Sequence, residues 1–289
     1  MLGGGGARGL AHLGVLRVLE EAHVPIDAIV GNSAGAIMGA AWLQRGGAQR
    51  TIDDLLRFLA SPQFQRLGLS HSFPRRSSRA RPMLTRILSG WRRHVAMHLM
   101  FRRPSLFHRR RLEFLVHAAV GPVRIEELSR PLHVVALDLR SGEEVVLSRG
   151  DLRDALTASA SVAGFFPPVA LDGRMLLDAG VADNLPVDVA LERCPRPIVA
   201  VNLSREIDER VDFPTGIEML LRSEELGSRV NSGRRAALAD VQVAPRLGAR
   251  YWLDFSRPET IVAAGEEAAR ESLDAILRVA GPPPVRRAD

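Results

Sequence analysis

The chain has 289 residues, 46% of them apolar, with 39 basic against 33 acidic side chains and a net charge of +6; it is long and apolar enough to bury a large core, which excludes a disordered chain. Its one cysteine, Cys194, excludes an internal disulfide and a zinc-ribbon cluster. Every basic residue is arginine, and a basic balance admits anionic partners such as nucleic acid, phospholipid surfaces and acidic substrates.

Met1-Leu2 passes at once into Gly3-Gly4-Gly5-Gly6-Ala7-Arg8-Gly9, with no charged segment and apolar core of a signal peptide. Leu10, Leu13, Val15, Leu16 and Leu19 then repeat at helical spacing to about Ala22. A glycine loop feeding a helix collects unpaired N–H groups and favours an anion. Such a loop normally follows a buried strand. Only two residues precede it here, which predicts a late start or a truncated sheet edge. Ala28 to Val30 reads as a strand and Ala34 to Leu43 as a small-residue helix, with the G-x-S-x-G of Gly31-Asn32-Ser33-Ala34-Gly35 between them. A strand turning sharply into a helix holds the turn serine strained and exposed at a helix N-terminus. Ser33 is therefore a candidate nucleophile; the plainer reading is a helix N-cap in a tight turn.

Thr51 to Ala60 predicts a helix. From Leu55 to Leu112 the chain has no acidic residue, and twelve arginines fall between Arg75 and Arg111. Within this span Leu84, Leu88, Trp91 and Val95 repeat at helical spacing, which suits a cap helix packed on the body. An apolar face on acyl chains with arginines on lipid phosphates suits the same pattern. Nucleic-acid binding is not expected, since no helix-turn-helix, zinc or aromatic RNA-binding signature accompanies the arginines. Arg111 to Val120 reads as a helix, Leu132 to Leu139 and Glu144 to Ser148 as an edge hairpin, and Asp151 as the cap of a helix to about Ser159. Val169 to Leu171 and Met175 to Leu177 flank the turn pair Asp172-Gly173. A helix over 187–193, a short strand over 198–202 and amphipathic helices at about 215–230 and 260–279 complete the pattern. Strands alternating with helices predict an α/β fold with helices on both faces of the sheet. No apolar run is long enough to span a membrane.

A serine nucleophile needs a base. The eight histidines are at 12, 23, 71, 94, 98, 108, 117 and 133, so none comes late enough for the histidine-last order of the α/β-hydrolase triad. His12, one turn into the first helix, is read as packing or capping. The best carboxylate is Asp178, at a strand's C-terminal end; the plainer reading is a turn aspartate bonding its own backbone. Gly4-Gly5-Gly6-Ala7-Arg8-Gly9 also satisfies the dinucleotide fingerprint, but the end of the next strand, Gly31-Asn32-Ser33, offers no acid for a ribose. The other reading is an oxyanion hole, with the Gly5 and Gly6 amides facing the attacked carbonyl and Arg8 orienting the loop or meeting a substrate anion.

Four segments occur in order: Gly-Gly-Gly-Ala-Arg-Gly (4–9), Gly-Asn-Ser-Ala-Gly (31–35), Ala-Ser-Ala-Ser-Val-Ala-Gly-Phe-Phe-Pro-Pro (158–168) and Asp-Ala-Gly-Val-Ala-Asp-Asn-Leu-Pro-Val-Asp (178–188). Together they closely resemble the patatin-like phospholipase family, especially its bacterial branch. The resemblance also covers Val135 to Glu143 and Trp252 to Phe255, and so most of the chain outside about 60–112.

The resemblance implies a helix-flanked, mostly parallel central sheet of the patatin type with an inserted helical cap. The expected organisation is one domain over 1–280, an arginine-rich cap at 60–112 within it and a flexible tail at 281–289. It implies a Ser33–Asp178 dyad without histidine, an oxyanion hole at Gly4, Gly5 and Gly6, supporting positions at Arg8, Gly9, Gly31, Gly35 and Gly180, and neither metal nor other cofactor. The implied reaction is acyl-ester hydrolysis on a phospholipid or lysophospholipid. A soluble carboxylesterase or thioesterase, or a catalytically silent lipid-binding regulator, are the alternatives. The expected location is cytoplasmic, with peripheral contact to anionic membrane at the inner face through 75–111. Oligomeric state is not legible. The family usually has Asp-Gly-Gly or Asp-Gly-Ala where this chain has Asp178-Ala179-Gly180. If that turn needs a positive φ at its second residue, Ala179 is strained by about 1–2 kcal/mol.

Overall fold

The computed structural model describes residues 1–68, 103–204, 206–207 and 216–281. The expected cap helix through Leu84, Leu88, Trp91 and Val95, most of the arginine span 75–111, and the tail 282–289 lie outside the described residues. Strands are β1 (Ile29–Asn32), β2 (Leu132–Asp138), β3 (Glu144–Leu147), β4 (Val169–Leu171), β5 (Arg174–Leu177), β6 (Val199–Val201) and β7 (Val241–Val243). The α-helices are α1 (Leu10–Glu21), α2 (Ala34–Arg45), α3 (Ala48–Ala60), α4 (Pro62–Arg66), α5 (Arg109–Ala119), α6 (Leu152–Ser159), α7 (Val187–Arg193), α8 (Gly216–Ala236) and α9 (Pro258–Ala280). The fold is α/β, a mostly parallel mixed sheet flanked by helices. No described helix is long and apolar enough to cross a membrane.

The start of the chain corrects the expectation of a truncated edge. β6 pairs in parallel with β7, β1 in parallel with β2, and Leu2 bridges in parallel to Gly31 on one side and Val201 on the other. Leu2 N donates to Val30 O at 2.9 Å, Gly3 N to Val201 O at 3.1 Å, and Val201 N to Met1 O at 2.9 Å. The residues before the glycine loop thus fill the centre of the row β7-β6-Leu2-β1-β2. The segment is too short to show a strand's periodicity, but both its neighbours supply hydrogen-bond partners.

The far side of β2 decides the site. Leu137 pairs with Glu144 of β3 on one edge and with Leu177 of β5 on the other; Val134 and Val135 pair with β3 and with β1. β5 therefore continues along the edge that β1 leaves. β1 runs parallel to β2 and β5 antiparallel, so their C-terminal ends approach head-on. Asn32 sits opposite Val135 and Leu177 opposite Leu137. One more residue from each end brings Ser33 and Asp178 to the level of Ala136. The β4–β5 hairpin turns on Asp172 and Gly173, with φ of 48° and 75°, as the Asp-Gly pair predicts. Asp138 Oδ1 accepts Arg140 N at 3.1 Å and Met175 N at 3.2 Å, fastening β5 to the end of β2.

α1 explains why its sequence is apolar almost all round. Leu10, Leu13, Val15, Leu16, Val18 and Leu19 are all buried, with the sheet-side elements on one flank and α9 on the other. A Cβ on Gly14 would stand 2.1 Å from Val262 O, and one on Gly265 2.0 Å from Ala11 O. Only glycine permits this approach, and each leucine so buried contributes about 1.5–3 kcal/mol. α6 begins where expected, with the Asp151 carboxylate accepting Asp154 N at 3.0 Å. α4 and β7 are too short to announce themselves in the sequence.

Candidate active site

Ser33 is the residue between β1 and α2. Its φ of 51° and ψ of −121° put it in a strained conformation for a residue with a side chain. Its side chain makes no cap hydrogen bond to α2, so the N-cap reading does not describe it. The bend is tight: a Cβ on Gly31 would lie 2.5 Å from Ala36 Cα, and one on Gly35 2.2 Å from Leu2 O. Glycine flanks the serine because α2 folds back onto β1 and onto the start of the chain.

Two buried hydrogen bonds hold the elbow. Ser33 N donates to Ser159 Oγ at 2.8 Å, and Ser159 Oγ donates to Val135 O at 2.6 Å. Ser159 is fully buried. It closes α6 onto the edge of β2 that β1 vacates at its bend. Ser159→Ala would leave a buried amide and a buried carbonyl unpaired, at about 1–3 kcal/mol. The expected outcome is a melting temperature lower by several degrees and a turnover reduced by about tenfold or more through loss of serine alignment. Calorimetry and a soluble-ester assay measure the two.

Asp178 follows β5 and is 6% exposed; Ser33 is 7% exposed. The Ser33 side chain stands near the Asp178 carboxylate and favours the anion. Gly180 N donates to Asp178 Oδ1 at 2.8 Å, and Asn32 Nδ2 approaches the same oxygen at 3.4 Å. Burial raises the Asp178 pKa above the ordinary carboxylate value, and the neighbouring Ser33, Gly180 and Asn32 oppose the rise. Desolvation disfavours the anion more than its hydrogen bonds favour it, which makes Asp178 a stronger base than a free carboxylate. Ala179 does not have a positive φ. It opens a short 3-10 turn through Val181 and is fully buried, so the strain expected at this departure from the family pattern is absent.

The glycine loop lies across the same end of the sheet. Gly4 N donates to Asn184 O at 2.9 Å, and Asn184 Nδ2 donates to Gly4 O at 3.1 Å. The Gly4 amide is thus already committed to Asn184. The Gly5 and Gly6 amides make no hydrogen bond among the described residues. Gly6 has a φ of 57°, and Ala7 N donates to Trp252 O at 2.7 Å, holding the loop's far side. Arg8 Nε donates back to Gly5 O at 3.2 Å. A Cβ on Gly9 would stand 2.6 Å from the Ala34 Cβ, so the turn after the loop packs directly on the start of α2. His12 is buried with its pKa lowered to about 4 by desolvation. It is neutral at physiological pH, and its Nε2 donates to Gly3 O at 2.7 Å. Its role is to hold the loop, as the capping reading expects.

Several supporting residues carry no sequence signal of their own. Asn184 and Ser159 act through partners far away in the chain, and Asp138 joins its own turn to Met175. α8 clamps the turn after Asp178: Ser228 Oγ donates to Gly180 O at 2.6 Å, Asn231 Nδ2 donates to Ala182 O, and Arg235 pairs with Asp183 at 3.2 Å and with Asp188. Glu144, Asp183 and Asp188 bring a carboxylate oxygen each within 4.8 Å of one another. Arg235 lies among them and supplies the counter-charge that a cation would otherwise bring. Neither of two surface clefts, of about 300 and 290 Å³, includes Ser33 or Asp178.

Burial, reinforced by Asp183 and Asp188, raises the Glu144 pKa to about 7, and burial raises that of Asp183 to about 6. A carboxylate whose folded pKa lies above its unfolded value favours folding while protonated, and this contribution is lost as pH rises through the folded value. Glu144→Gln is therefore expected to stabilise the protein above pH ~7, by about 1–2 kcal/mol after allowance for solvent screening, and to be near neutral at pH ~4. Denaturant unfolding of both proteins across that window checks it.

A family model described as Patatin-like phospholipase matches residues 1–191. The neuropathy target esterase sws of Drosophila melanogaster is 30% identical over 210 residues, covering 72% of this chain and 13% of that protein. An uncharacterized NTE family protein of Mycobacterium bovis is 28% identical over 299 residues, covering 95% of this chain and 46% of that protein. The chain thus spans less than half the length of either curated relative. Among solved structures, VipD from Legionella pneumophila aligns with a TM-score of 0.53 at 16% identity, over 95% of this chain and 66% of that one, a likeness of fold.

Proposed function

Since the chain belongs to the patatin-like phospholipase family, we propose that it is a serine hydrolase that cleaves acyl esters of phospholipids or lysophospholipids through Ser33 and Asp178. The observation that carries this reading is the convergence, at the adjoining ends of β1 and β5, of Ser33 at a strained strand-to-helix bend and the buried Asp178 carboxylate, whose pKa is raised.

The Asp178 carboxylate takes the Ser33 proton as Oγ attacks the acyl carbonyl carbon. The carbonyl oxygen becomes an oxyanion facing the Gly5 and Gly6 amides, donors that carry charge without reorganising. Collapse expels the lysolipid or alcohol, which takes the proton from Asp178, and leaves an acyl ester on Ser33. Asp178 then accepts a proton from water, whose oxygen attacks the ester, and returns it to Ser33 as the fatty acid departs. His12 does not enter this sequence, because its Nε2 donates to Gly3 O and it serves the loop.

The test is a panel of phospholipids, lysophospholipids and simple esters incubated with the wild type beside Ser33→Ala, with products read by mass spectrometry. The expected result is fatty-acid release from one of the lipid classes by the wild type alone, with stoichiometric fluorophosphonate labelling of Ser33. A folded wild type that neither labels nor releases fatty acid would overturn the proposal.

A further inference from the structure

α8 is amphipathic, as its sequence predicts, but it is turned inside out. Along one side, at steps of three and four, Glu218, Arg222, Glu225, Ser228, Ser232 and Arg235 are partly or fully buried. The opposite side carries Met219, Ser223, Leu226 and Val230, with Leu220 beside them. Met219, Leu220, Leu226 and Val230 are 56%, 65%, 36% and 56% exposed. A helix on the surface of a water-soluble body shows the reverse arrangement, its apolar stripe inward. The inner side is polar because it serves the turn after Asp178, where Ser228 reaches the Gly180 carbonyl and Arg235 reaches Asp183. That duty does not require an apolar outer side.

Two further observations say what the outer side meets. Exposed Arg234 continues the apolar stripe one turn beyond Val230, and from Leu226 to Ala239 the chain has no carboxylate to neutralise it. The helix is also continuous with the candidate site, since its inner side binds a carbonyl two residues from Asp178. Val181, in that same turn, is 45% exposed. We propose that the outer face of α8 docks on an anionic phospholipid surface. Met219, Leu226 and Val230 enter the acyl boundary and Arg234 meets the phosphates. This rests on the lipid-hydrolase reading, because docking there would bring lipid esters beside Ser33.

The test uses vesicles of phosphatidylcholine with and without phosphatidylglycerol. Met219, Leu226 and Val230 are changed together to Asp, and in a second protein together to Gln. Vesicle binding is read by co-sedimentation at low and high salt, and turnover on a soluble short-chain ester in parallel. The wild type should bind vesicles containing phosphatidylglycerol, more weakly at high salt. Both triple variants should lose about tenfold or more of that binding while keeping soluble-ester turnover. Unchanged binding by folded variants overturns the proposal, as does a wild type that cleaves the soluble ester yet binds neither vesicle. A change in oligomeric state with vesicle binding intact would assign the face to a second copy and also overturn it. A wild type that binds vesicles but never labels at Ser33 would instead remove the hydrolase reading and leave the docking surface standing.

Discussion

Asp178→Asn is expected to lower turnover on any accepted ester by about 10³- to 10⁴-fold, the scale seen when a hydrolase's base is removed from around an intact serine. The substitution keeps the shape of the turn. An asparagine carbonyl oxygen can still accept Gly180 N, which now sits 2.8 Å from Asp178 Oδ1, so the fold and melting temperature should change little. What disappears is the anion that accepts the Ser33 proton. Fluorophosphonate labelling should slow in parallel, since it depends on the same activated oxygen. In the wild type the dyad works only with Asp178 ionised. Its folded pKa is raised by burial, so activity should fall as pH drops through a value above the ordinary carboxylate range. His12→Ala should cost stability through the lost contact to Gly3 O and leave that acid limb in place. An acid limb that moves with a histidine substitution would return the base to a histidine, and an active Asp178→Asn protein would remove Asp178 from the role.

How much of this was legible in the sequence follows from the range of each interaction. The bend at Ser33 was legible because it is local: a β-branched run, glycines at 31 and 35, and a small-residue helix all lie within a few positions. The Asp172-Gly173 hairpin was legible for the same reason. The meeting of Ser33 with Asp178 depends on β5 taking over the edge of β2 that β1 leaves, a matter of register between segments more than a hundred residues apart. Pattern alone does not fix register across such a distance; the resemblance to a family named the pair, and the strand ends explain it. The start of the chain was misjudged because a strand of two or three residues has no period to read. Ser159 and Asn184 lie within segments that resemble the family but carry no signal of their own, since a hydrogen bond to a distant backbone atom leaves no trace in spacing. α8 shows the opposite case. Its amphipathic period was readable, but period cannot say which side faces the body. The body here offers carbonyls and carboxylates, and the polar side won.

Gly6→Ala separates the oxyanion proposal from the dyad. Gly6 has a φ of 57°, where an L residue is disfavoured by about 1–2 kcal/mol. Its new Cβ would also stand 2.3 Å from Trp252 O, a backbone atom that cannot swing aside and that already accepts Ala7 N at 2.7 Å. The loop must shift, and the Gly5 and Gly6 amides shift with it. Loss of one oriented donor typically costs a factor of about 10²–10³ in kcat, and the same loss is expected here with KM changed far less. Gly5→Ala is the control on the neighbouring residue. Its φ of 177° lies outside the left-handed range, and its Cβ would first meet the flexible Leu203 side chain at 3.0 Å, so the neighbour can give way and kcat should fall by less than about tenfold. Both proteins should remain folded by circular dichroism, because Gly3 and Gly4 still anchor the loop to Val201 and Asn184. If Gly6→Ala turns over like the wild type, or if the two variants lose activity equally, the oxyanion is stabilised elsewhere. If kcat collapses only for Gly6→Ala while its acid limb stays where the wild type has it, the loop contributes to the transition state independently of the base, and the unpaired amides are the donors.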